Sequence, residues 1–150
     1  LRTKDFIYIV NFEPDRWPMG DPEGLDDPST PAPDYEQLAY NTMVAYADLD
    51  ASPTKAWMIH HREEHDVEPL YQLAFGKRPR EELYDLIHDP HYMHNVAEDS
   101  AYANVRKTMQ ERLFQILQEQ NDPRLMEQPC RYELEPYAGP LAEFQLPPSK

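Results

Sequence analysis

Apolar side chains fall into short runs separated by proline and acid, and each run has a period that predicts an element. Residues 4–10, Lys-Asp-Phe-Ile-Tyr-Ile-Val, are β-branched and aromatic and predict a strand. Thr3-Lys4-Asp5 has turn character, so Leu1-Arg2 reads as the stub of a hairpin partner, as in a chain cut from something longer. Between Asn11 and Pro33, Pro14, Pro18, Pro22, Pro28, Pro31 and Pro33 with Gly20 and Gly24 forbid a long helix or a central strand. Phe12, Trp17 and Met19 predict that this stretch is an ordered loop packed against something.

Helical spacing begins at Asp34, where Tyr35, Leu38, Ala39, Thr42, Met43 and Tyr46 predict a helix to about Asp48. Ser52-Pro53 opens a second, through about Glu64, with a capping hydroxyl and a proline at the first helical position. Val67–Phe75 predicts a third, closed by Gly76. Glu81–Ile87 predicts the second strand, stopped by Asp89-Pro90. Asp99 or Ser100 then caps a long helix to about Gln120, with Tyr102, Val105, Met109, Leu113, Ile116 and Leu117 on one face. Asn121-Asp122-Pro123 ends it. The expected fold is α+β: a small antiparallel sheet packed by Leu113, Ile116 and Leu117 of the long helix, with short helices and long ordered loops. Residues 1–125 form the expected domain, and 126–150 a proline-rich extended tail.

Charge narrows the function. Among 150 residues, 28 acids face 14 bases, a net charge of −14. Binding nucleic acid requires clustered Lys and Arg to neutralise phosphate, so that class is set aside. No apolar run approaches the ~20 residues of a membrane span. The single Cys130 excludes an internal disulfide framework and a four-cysteine zinc site.

Candidate chemistry is sparse. His61-Arg62-Glu63-Glu64-His65 fits H-x-x-E-H, a pattern in which two imidazoles on one helical face hold zinc; the plain alternative is a solvated helix end. His88, His91 and His94 flank Asp-Pro in a loop. Cys130 has no local base. The loop Asn11-Phe12-Glu13-Pro14-Asp15-Arg16-Trp17 sets a cation beside an indole, able to meet a sugar face and an anion, or else to plug a core. The loop cations of the chain are Arg16, Arg62, Arg78 and Arg80. No catalytic residue and no metal ligand are assigned.

Glu82-Leu83-Tyr84-Asp85-Leu86, then Asp89-Pro90 and Asn95-Val96-Ala97, resembles the carboxyl-terminal region of the sulfatase family, whose pattern there is E-L-Y-D-L-x-x-D-P-x-E-x-x-N-L-A before a long amphipathic helix. The chain departs from it at Tyr92, where an acid is usual, and conservatively at Val96. The resemblance covers about residues 1–125 and is greatest to the heparan N-sulfatase (sulfamidase) branch. It implies a parent enzyme of secreted, periplasmic or lysosomal type, whose large α/β domain carries formylglycine and calcium. It also implies that this chain is the smaller terminal subdomain, partnered by that catalytic domain and, through it, by a sulfated carbohydrate, with Arg16, Trp17, Arg62, Arg78 and Arg80 as the candidate substrate-facing groups. The formylglycine precursor C/S-x-P-x-R is missing here, because Cys130 is followed by Arg-Tyr and Ser29-Thr-Pro-Ala by proline. Alone, the chain is expected to be inactive and to hold no cofactor. The alternatives are a free-standing acidic interaction module and a zinc hydrolase using His61 and His65.

Overall fold

A computed structural model describes residues 1–134 apart from Pro28. The course expected for the tail beyond Leu134 lies outside the described residues. The chain forms two compact units, Leu1–Ile9 with the residues from Glu82 onward, and Val10–Glu81. Leu1–Ile9 falls with the later segment because the strands at the two ends of Val10–Glu81 pair with each other.

All but the terminal residues Val10 and Glu81 of β1 (Phe6–Val10) and β2 (Glu81–Asp85) lie in the first unit, and the two strands form a two-stranded antiparallel sheet. Leu86 donates to the Asp5 carbonyl at 2.8 Å and Asn11 to that of Arg80 at 2.9 Å. This register sets Tyr8 against Leu83, and both are fully buried. Burying two such side chains contributes on the order of 1.5–3 kcal/mol each. Leu1 and Tyr8 exchange backbone hydrogen bonds of 2.8 and 2.9 Å, and Arg2 bridges Ile7 antiparallel, so Leu1-Arg2 does pair with β1 across the Thr3–Asp5 turn.

A strand edge left with unpaired backbone groups is costly to bury. Here the outer edge of β2 is covered: Leu83 donates to the Asn95 side-chain oxygen at 2.9 Å, and Val96 donates to the Leu83 carbonyl at 2.8 Å. The Asp99 carboxylate accepts from Ala101 and starts a 3-10 turn, Ser100–Tyr102, that runs into α4 (Ala103–Glu119). The deepest residue of α4 is Met109, whereas Leu113, Ile116 and Leu117 are only half-buried. The helical period was right, but the core lies nearer the N-terminal half. There Tyr102 meets Phe6 edge-on, and Arg106 donates to the Ala97 carbonyl at 2.9 Å. Asp122 caps a further short helix, Pro123–Met126.

The second unit is built from α1 (Tyr35–Tyr40), α2 (Pro53–His60) and α3 (Glu68–Phe75). Leu38, Ala39, Tyr46, Ala56, Ile59, Tyr71 and Phe75 form its core, and Trp17, Met19 and Leu25 pack on it from the proline-rich loop. The loop is therefore ordered as expected. Tyr46 donates to the Asp21 carbonyl at 2.7 Å and Asp48 to that of Met19 at 3.1 Å. The Asp34 carboxylate and the Gln37 side chain form a reciprocal capping box at the start of α1.

Helix α1 ends eight residues earlier than its periodicity suggests. The Asn41 side chain accepts from Met43, competing with a further helical turn, and Ala45 and Tyr46 take the left-handed conformation at φ 43° and 51°. What holds them is Lys55, 1% exposed, whose ammonium donates to the carbonyls of Leu49 (3.0 Å), Tyr46 (3.1 Å) and Thr42 (3.5 Å). Gly76 closes α3, but with φ −61° rather than left-handed. Its reason is space, since a Cβ there would stand 2.6 Å from the Gln72 carbonyl oxygen.

Candidate functional site

The five candidate substrate-facing residues all belong to the second unit. Asn11 ties its two ends together, donating from its side chain to the Pro79 carbonyl at 2.7 Å and from its backbone to Arg80. This clamp lays Lys77-Arg78-Pro79-Arg80 along the loop that carries Phe12, Arg16 and Trp17. The Arg80 guanidinium lies over the Phe12 ring at 5.3 Å, and its Nη1 donates to the carbonyls of Phe12 (2.8 Å) and Asn11 (3.2 Å). The Lys77 ammonium stands 4.9 Å from the centre of the Trp17 ring. Arg78 donates to the Leu73 carbonyl at 2.7 Å and to that of Gln72 at 3.5 Å, capping the last turn of α3.

Trp17 is half-buried and meets Tyr46 edge-on at 6.1 Å, so it serves as a plug while its ring also seats a cation. Arg16 is exposed in the turn closed by its own backbone bond to Glu13. Arg62 stands apart from this group, donating to the Ile59 carbonyl at 2.9 Å just beyond α2. Lys77 escaped the sequence reading; the Lys-Arg-Pro-Arg run was the available signal. Four cations against two carboxylates, Glu13 and Asp15, make this pair of segments locally basic in a strongly acidic chain.

His61 and His65 do not share a helical face. Helix α2 ends at His60, His61 pairs with Glu64 at 2.6 Å, and His65 pairs with Asp66 at 2.9 Å in the following turns. Among the described residues no group of three or more His, Cys, Asp or Glu side chains converges as a metal site would require. Cys130 is half-buried at the start of the 3-10 turn Arg131–Glu133.

A second cluster lies in the first unit and went unrecognised in the sequence, although an acid three residues before a histidine was its signal. Asp85 is 4% exposed. It accepts from the backbone N–H groups of Ile87 (2.9 Å) and His88 (3.2 Å), from His88 Nδ1 (2.7 Å) and from the Tyr102 hydroxyl (3.0 Å). Burial pushes this carboxyl up, but the bonds from His88, Ile87 and Tyr102 outweigh it and hold the pKa at about 2. The same bond raises the Tyr102 hydroxyl above its ordinary value. Asp89 repeats the device one turn later, accepting from the His94 backbone at 2.7 Å, which lowers its carboxyl pKa.

Asn95 completes the sequence of turns. Its side-chain oxygen receives both Leu83 and Ala97 N–H, at 2.9 and 3.0 Å. Asp85, Asp89 and Asn95, the polar residues of this stretch that match the E-L-Y-D-L-x-x-D-P pattern and its asparagine, thus each accept from backbone N–H groups. Comparison with protein-family models, with curated proteins and with solved structures finds no match for this chain.

Proposed function

We propose that the chain is the accessory carboxyl-terminal subdomain of a sulfatase that hydrolyses sulfate esters or sulfamates of carbohydrates. Its part is scaffold and cleft loop, with the nucleophile and calcium supplied by the catalytic domain of the same parent. The observation that carries this reading is the chemistry of residues 82–97. The residue types that make the resemblance are the ones this backbone needs: an acid to cap the turn after β2, a second acid to cap the next turn, and an asparagine to cover the strand edge.

The departure at Tyr92 fits the same logic. Tyr92 adopts φ 57°, its hydroxyl accepts from Arg2 at 3.2 Å, and its ring lies 5.8 Å from that guanidinium. A phenol thereby receives the cation that a carboxylate at this position would pair with. Trp57 on α2 and Leu70 and Leu73 on α3 are exposed, apolar side chains of the kind a catalytic domain would cover.

The coding sequence upstream of Leu1, followed by an assay, tests the reading. A C/S-x-P-x-R motif is expected there, with turnover of an aryl sulfate or N-sulfoglucosamine by the full product and none by the 150 residues alone. An upstream sequence without that motif, or turnover by the isolated chain, overturns it.

A further inference from the structure

Arg80 is anchored without being neutralised. Its Nη1 alone holds it, through the carbonyls of Asn11 and Phe12, and the Phe12 ring supports the guanidinium from one face. The opposite edge, formed by Nε and Nη2, donates to no group among the described residues, and none of their carboxylates makes an ion pair with it. This is the side-on edge that matches two oxygens of one oxyanion. Carbonyl anchors fix its direction while leaving the full positive charge, so little side-chain freedom remains to be lost on binding.

Lys77 adds a second unneutralised cation on the same four-residue segment. Its contact is the Trp17 ring, and it makes no ion pair among the described residues. In a chain with twice as many acids as bases, two cations on aromatic seats without acid partners are unusual.

We propose that the open edge of Arg80, with the charge of Lys77 three residues before it, binds a tetrahedral oxyanion, the sulfate or phosphate group of a small ion or of an esterified saccharide. The site stands whether or not the chain belongs to a sulfatase, so its test and the upstream-sequence test fail independently. At contact distance the local charges decide, because screening at physiological salt confines the net negative field to within ~8 Å of each exposed acid.

Isothermal titration calorimetry of the 150-residue chain in 150 mM salt, with a Debye length of about 8 Å, reads the site directly. The titrants are inorganic sulfate, inorganic phosphate, a sulfated heparin-type hexasaccharide and its desulfated counterpart, which keeps its carboxylates. A dissociation constant for the inorganic ions as low as for the sulfated hexasaccharide assigns the free group as ligand, and a lower one for the sulfated hexasaccharide assigns the ester. Arg80→Lys keeps the charge but removes the fork, and should weaken binding roughly 10-fold or more. Lys77→Gln, a side chain with no structural hydrogen bond to lose, should weaken it roughly 3- to 10-fold. Three results overturn the proposal: no binding of any of the ions or the sulfated sugar, equal binding of the desulfated sugar, or unchanged affinity in both variants when their circular dichroism matches the parent chain.

Discussion

Lys55 occupies a place that an apolar side chain would ordinarily fill. Burial lowers its pKa, while the charges of Glu23 and Asp50 pull the other way. Its acceptors are backbone carbonyls, so substitution cannot remove them together with the ammonium as it could an ion-pair partner. Lys55→Met should cost about 2 kcal/mol, since the buried Tyr46 carbonyl and the part-buried carbonyls of Leu49 and Thr42 then lose their donor. A urea midpoint equal to that of the parent chain would show the cage to be dispensable. Asp85 carries the opposite charge and a pH signature. Its folded pKa of about 2 lies below the ordinary value of ~3.9, so the stability it contributes is fully present above about pH 4. It is lost as pH falls through 2, where the folded form must also take the proton. The Asp85→Asn chain should be less stable at pH 6, yet should lose less of its remaining stability between pH 5 and pH 2.5. Parallel urea titrations at those three pH values check this, and identical acid slopes in the two chains would refute it.

At the level of elements, helix α4 shows what a periodic pattern conveys and what it omits. Its spacing identifies an apolar stripe from Val105 to Leu117 but not which end of the stripe meets the sheet. That is decided by Tyr102 and Arg106, which anchor the first turns to Asp85 and to the Ala97 carbonyl. Met109→Ala should therefore cost about 2–5 kcal/mol, while Leu113→Ala, at a half-buried site, should cost clearly less. Reversal of that order in guanidinium unfolding would place the core farther along the helix. Both strands, the three short helices and the long helix were legible because caps, prolines and periods agreed. The end of α1 was not, because it is set by Lys55, which lies 15 positions beyond Tyr40 and acts through space on the carbonyls of residues 42–49. The basic site was legible in part: Arg80 and Trp17 stood out by type, but the pairing of residues 11–17 with 77–80 is a tertiary fact with no local signature.

Across the whole molecule, the prolines, the acidity and the sparse regular structure foretold long ordered loops, yet not that one compact unit would interrupt another. Strands β1 and β2 are antiparallel neighbours, so residues 11–80 are topologically the loop of a hairpin. Hairpin loops ordinarily hold two to five residues; lengthening one to roughly 70 is about four or five doublings, each opposing closure by ~0.6 kcal/mol. The folded second unit removes most of that opposition. Asn11 joins its two ends through the 2.9 Å bond to Arg80 and the 2.7 Å bond to Pro79, so that, to the sheet, a whole unit counts as a tight turn. Order in the sheet is thus inherited through the covalent chain. Were residues 11–80 to melt, β1 and β2 would become two five-residue segments at opposite ends of a random coil, with the encounter statistics of a polymer in place of those of a hairpin.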